Sequence, residues 1–119
     1  MNLHVVEKPG CRYVEGAASE ELLQSERNAV ELIGLCGEYD AQRLLLYDRN
    51  LPAAFFDLKT GLAGAILQKF VTYHMKVALV IQSAQVHGRF KEFVVEANRG
   101  SHFHAFDNKD EAERWLTGS

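Results

Sequence analysis

The chain has 119 residues, 47% of them hydrophobic and 24% charged, with a formal net charge of −3. That length suits one core burying roughly two thirds of the unfolded surface, with no room for a second domain, so residues 1–119 are expected to form a single domain. The composition is neither disordered nor collagen-like, and without a basic surplus to displace phosphate counterions nucleic acid is not an expected partner.

Leu3 to Glu7 reads as a short strand, Lys8-Pro9-Gly10 has turn chemistry, and Cys11 to Glu15 continues the apolar character, so the chain is expected to open with a hairpin. Ser25 is placed to cap a helix whose Ala29, Leu32, Ile33 and Cys36 fall at i, i+3, i+4 and i+7, with Gly37 as its left-handed stop. Arg43 to Tyr47 is a buried-strand pattern that breaks into the polar loop Asp48-Arg49-Asn50-Leu51-Pro52.

From Asp57 to Val71 one helical face carries Leu62, Ala63, Ile66, Leu67 and Phe70, with Asp57 placed to cap the first turn. Met75 to Ile81 is a nearly continuous apolar run, expected as the central strand covered on both faces by helices. Phe90, Phe93, Val94 and Ala97 repeat at helical spacing, Asn98-Arg99-Gly100 ends that helix, and a strand follows over His102 to Phe106. Asp107 is read as the cap of a last helix holding Ala112, Trp115 and Leu116, and residues 117–119 as a loose tail. The expectation is therefore an α/β domain with a mixed sheet of about five strands and about four helices, parallel from residue 43 onward by the right-handed crossover rule.

The N-terminus lacks the basic flank and apolar length of a signal peptide, and no stretch approaches the roughly 18 apolar residues of a spanning helix. A cytoplasmic location without membrane contact is expected. Cys11 and Cys36 match no metal or redox spacing and are read as reduced thiols, Cys36 on the apolar stripe of its helix. His102 and His104 share a strand face, yet no nearby carboxylate or cysteine completes a ligand set, so no metal and no cofactor are expected. Gly61-Leu62-Ala63-Gly64 fits neither the Walker nor the dinucleotide pattern, and Lys59-Thr60-Gly61 spells K-T-G without the S-x-x-K that penicillin-binding enzymes need. Phe55, Phe56 and Tyr47 are either core or an exposed aromatic patch.

In open α/β sheets ligands meet the carboxyl ends of the strands. Here the corresponding loops carry Asp48 and Asn50, then Asp57, Lys59, Thr60 and Gly61, then Ser83 and His87. Thr60 is expected in a first helical turn, where free N–H groups and the macrodipole favour an anion or a phosphorylated hydroxyl. The bland reading of this corner is a helix cap with a packing glycine.

The run Phe56-Asp57-Leu58-Lys59-Thr60-Gly61-Leu62-Ala63 resembles the D-[ST]-[ST]-G-L stretch of STAS domains, the anti-anti-sigma factor-like regulators. It has three residues rather than two between Asp57 and Gly61, and a lysine at position 59. In that family a partner kinase phosphorylates the hydroxyl before the glycine, which implies Thr60 here. Over nearly the whole chain, Phe55 to Gly64 with Ile66 to Phe70, then Tyr73 to Lys76, then Glu96 to Gly100 is similar to the domain-of-unknown-function family 4180, which implies a fold and a bacterial setting rather than an activity.

The expected function is a non-enzymatic regulatory or protein-interaction module acting through Asp57 to Gly61 on a protein partner, with homodimerisation open to it if an edge strand is uncovered. The alternative is a carrier or sensor in which Lys59 pairs with an anionic ligand or the corner takes an apolar one. A hydrolase built on Asp48, Asp57 and His87 ranks last.

Overall fold

A computed structural model describes residues 2–17, 20–82 and 88–118. The hairpin forms as β1 (Leu3–Lys8) and β2 (Cys11–Gly16), which pair antiparallel with Lys8 opposite Cys11. Gly10, at φ +75°, supplies the left-handed corner of the two-residue turn after Pro9. Then follow α1 (Glu26–Glu38), β3 (Arg43–Tyr47), a short α2 (Ala53–Phe56), α3 (Leu62–Thr72), β4 (Lys76–Val80), α4 (Gly88–Ala97), β5 (Phe103–Phe106) and α5 (Lys109–Leu116). The five strands lie in chain order, and every pair after the hairpin is parallel.

That order decides where the helices go. Each crossover steps to the next strand in the same direction, so right-handed connections put α1, α3 and α4 on one face of the sheet. Their buried Leu32, Cys36, Ile66, Phe70, Phe90 and Val94 pack with Val14, Leu44, Leu46, Val77 and Leu79 in the larger core. After β5 the chain turns to the other side, and α5 folds over the opposite face, seating Ala112 and Leu116 on Tyr13, Leu45 and Ala78. β3 and β4 are thus covered on both sides, which is why they read as unbroken apolar runs.

The helix boundaries correct several expectations. Ser25 does cap α1, its hydroxyl accepting from Asn28 N, but Gly37 lies inside the helix, and Asp40, at φ 55°, takes the left-handed position. His74, at φ 57°, does the same after α3, and in both places a backward bond closes the end, Ala41 N to Cys36 O and Met75 N to Phe70 O. Asp57 caps only a 3-10 turn over Leu58–Thr60, and Gly61 at φ +75° intervenes before α3. α5 is capped by Asn108, which accepts from Glu111 N, and not by Asp107.

The polar stretch after β3, expected as a loop, begins with an ordered turn. Asp48–Asn50 form a 3-10 turn, and Asn50 is fully buried. Its amide donates to Ala17 O at 2.6 Å and Glu20 O at 2.8 Å, its Oδ1 accepts from Tyr47 N at 2.8 Å, and its own carbonyl accepts from Leu22 N and Leu23 N. Gly16 makes room for it, since a Cβ there would lie 2.7 Å from Asn50 Oδ1 and 2.9 Å from Leu22 Cδ1.

Asn50→Ala removes the side-chain partners of Ala17 O, Glu20 O and Tyr47 N, and urea unfolding is expected to show a loss of about 3 kcal/mol. Asn50→Asp, which turns a carboxylate toward the same carbonyls, is expected to lose at least as much. His104 gives a second test. Its Nδ1 is buried with no hydrogen-bond partner among the described residues, its ring packs on Phe106 and Trp115, and burial holds its pKa below the ordinary 6.5 despite opposing backbone bonds at Asn98 and Ala105. Below pH 6.5 the unfolded chain binds more protons than the folded one, so this contribution is whole above that pH and fades as pH falls toward the lowered folded value. The urea midpoint of His104→Phe is expected to drop less between pH 7 and pH 5 than that of the native chain.

Candidate functional site

At the carboxyl end of β3 and β4 the chain builds a corner from three short pieces. Phe55, at the end of α2, is buried and meets Phe56 and Phe90 edge to face, with centroids at 5.6 and 6.1 Å, and Phe56 meets Phe90 at 5.2 Å. The trio fixes the start of α4 against the turn after α2. Between them lies a depression of about 260 Å³, floored by Phe56, Leu58 and Phe90 and edged by Asp57, Lys59 and Arg89. Asp57 spends one carboxylate oxygen on Lys59 N at 3.1 Å. The Lys59 and Arg89 side chains are exposed and form no ion pair among the described residues.

Thr60 sits beside this depression but outside any α-helix. Its Oγ1 lies 2.6 Å from Ala54 O and 2.9 Å from Asp57 O, with one proton to donate between them, and accepts from Leu62 N at 3.2 Å. The hydroxyl therefore serves as the cap that α3 gets from neither Gly61 nor Asp57. Gly61, in the left-handed region, turns the chain from the 3-10 turn into α3.

The remaining expected residues scatter. Asn50 is consumed by the core. Asp48 is half-buried on its own turn, and no hydrogen bond or ion pair joins it to Asp57. Ser83 and His87 lie outside the described residues. Phe55 and Phe56 belong to the larger core while Tyr47 packs on the α5 face, so the three make no single patch. His102 places Nδ1 3.0 Å from Met75 O, and His104 is held among aromatic rings, so the pair does not converge. No group of three or more potential ligands gathers among the described residues. Cys36 is a core thiol, its pKa pushed up to about 12 by burial.

Reading the sequence missed Arg89 as a site residue and placed Phe90 only in the core. The signal for both is their position right after Gly88, at the start of the helix that follows β4, which the strand order places beside the central β3 rather than at the centre itself.

On the α5 face a polar collar surrounds the smaller core. The Tyr13 hydroxyl donates to Glu113 and that of Tyr47 to Glu15, while Lys8 reaches Glu113 at 3.6 Å and Lys109 reaches Glu15 at 3.2 Å. Both phenols are raised above their ordinary pKa, first by burial and then by the carboxylates they bind, and Glu113 is lowered first by the Tyr13 bond. The Tyr13 bond fastens α5 to β2, while the Tyr47 bond ties β3 to Glu15 of β2, which Lys109 of α5 reaches in turn.

The topology and these sites define a mixed α/β domain, with three crossover helices on one sheet face and a lone C-terminal helix on the other. Within that class, residues 8–116 match the family described as a domain of unknown function, DUF4180, and the chain belongs to it. Comparison with curated proteins and with solved structures returns no match. No helix among the described residues is long and apolar enough to cross a membrane.

Thr60→Ala removes the cap of α3 and its ties to α2, and is expected to cost about 1 kcal/mol in urea unfolding, with Thr60→Ser close to the native value.

Proposed function

We propose that this chain is a non-enzymatic regulatory module of STAS-like type that binds an acidic, aromatic-bearing segment of a protein partner at the corner around Asp57 to Gly61. The observation carrying this is the pairing of two exposed cations, Lys59 and Arg89, with an aromatic floor of Phe56 and Phe90 in one open depression. A cation rim steers an acidic partner, and an apolar floor holds the inserted side chain. The depression, at about 260 Å³, falls below the roughly 300 Å³ of small-molecule sites, which favours one partner side chain over an enclosed ligand. Thr60 is the regulatory point. A phosphoryl group on its Oγ1 removes the proton that ties it to Ala54 or Asp57 and sets a dianion beside Lys59, competing with the acidic partner.

The test is recovery of the protein from its own cells beside a Lys59→Glu/Arg89→Glu variant. A stoichiometric protein partner is expected with the native chain, with affinity for the purified partner falling at least about tenfold in the variant and in Thr60→Glu. Equal binding by the folded variant counts against the corner. A retained small molecule in place of a protein counts for a carrier.

A further inference from the structure

The opposite end of the sheet holds a larger basin, about 670 Å³, at the amino ends of β2, β3 and β4. Cys11, Arg43 and Lys76 occupy the first positions of these three strands. Alternation along each strand puts them on the α5 face, two residues before Tyr13, Leu45 and Ala78 of the smaller core. Arg43 and Lys76 are register partners on adjacent parallel strands, so two cations stand side by side, an arrangement that repels unless something neutralises it.

Nothing in the described chain does so. Arg12 and Lys8, which also line the basin, are spent on Glu7 and Glu113. Lys76 Nζ donates to Trp115 O at 2.7 Å and lies 4.6 Å from the Trp115 ring, and the Arg43 guanidinium makes one hydrogen bond among the described residues, Nη1 to Cys11 Sγ at 3.1 Å. Neither has a carboxylate partner among the described residues, although Asp40 stands on the rim. The Lys76 pKa is lowered, first by burial and then by the Arg43 charge, with Cys11 acting in the opposite sense. The other N–H groups of Arg43 form a planar fork suited to two oxygens of one oxyanion, and exposed His74 on the rim offers a further donor. The volume lies within the range of small-molecule sites.

The geometry points to an oxyanion-binding site in this basin, in which Arg43 and Lys76 hold the dianionic phosphate group of a small molecule, beside the thiol of Cys11. A dianion matches both cations at once, whereas a monocarboxylate leaves one unneutralised. The site is independent of the corner at the carboxyl ends, and its failure leaves that reading untouched.

Inorganic phosphate is the probe, titrated against acetate and chloride at equal ionic strength and read by amide chemical shifts. Phosphate is expected to give saturable shifts at Cys11, Arg43 and Lys76, with acetate at least about tenfold weaker. It is also expected to slow alkylation of Cys11 by the neutral reagent iodoacetamide, with Cys36 shielded by burial. Arg43→Gln is expected to lose both effects, and Lys76→Met, which keeps the stem against Trp115, serves if Arg43→Gln fails to fold. Equal shifts with chloride, unaltered Cys11 alkylation, or native phosphate binding by a folded variant would each overturn the assignment. Acetate binding as tightly as phosphate would overturn the dianion preference.

Discussion

Everything at the carboxyl end of the sheet depends on one buried amide. Asn50 ties the end of β3 to the segment between β2 and α1, using both its amide hydrogens and its carbonyl oxygen inside the core. Buried backbone groups must find partners, and the Asn50 amide supplies them to the carbonyls of Ala17 and Glu20 beyond β2. A side chain with two donors and one acceptor meets that need where a hydrophobic residue cannot. Gly16 belongs to the same arrangement, because any side chain there would occupy the space that Asn50 fills.

With that junction fixed, the strand order imposes the rest. One-directional crossovers load three helices onto one face and leave the other to α5, an eight-residue helix over a five-stranded sheet. So short a helix cannot bury the face alone, and a collar of tyrosines, glutamates and lysines finishes the job. The last turn of α5 ends at the amino end of β4, where the carbonyl of Trp115 meets Lys76 and the basin opens. The two ends of the sheet thus differ in chemistry. The carboxyl end offers aromatic rings under two cations, and the amino end offers a guanidinium, an ammonium and a thiol side by side.

Legibility in the sequence followed the length of each apolar pattern. β3, β4 and the stripes of α1, α3 and α4 were readable because burial repeats at the period of the element. Helix ends were harder. Gly37 looked like a stop, but α1 runs past it to Glu38 and Asp40 takes the left-handed position, since that position goes where the chain must turn toward β3 rather than to the nearest glycine. Asp57 looked like the cap of a long helix, yet Gly61 splits that stretch and passes the capping to Thr60. Asn50 looked like a loop residue, because polar character alone does not distinguish a solvated side chain from one that feeds buried carbonyls.

The sequence by itself determined the number and type of the strands, the mixed pairing, the faces of the main helices and the family. Those properties are set by local periodicity and by connection rules that act along the chain. Only the tertiary structure decided that Arg89 and Phe90 complete the corner with Lys59, that Phe55 and Tyr47 lie on opposite faces, and that Arg43 and Lys76 stand together with no carboxylate partner among the described residues. These are meetings of residues far apart in sequence, fixed by strand register and crossover direction, and no local pattern carries that information.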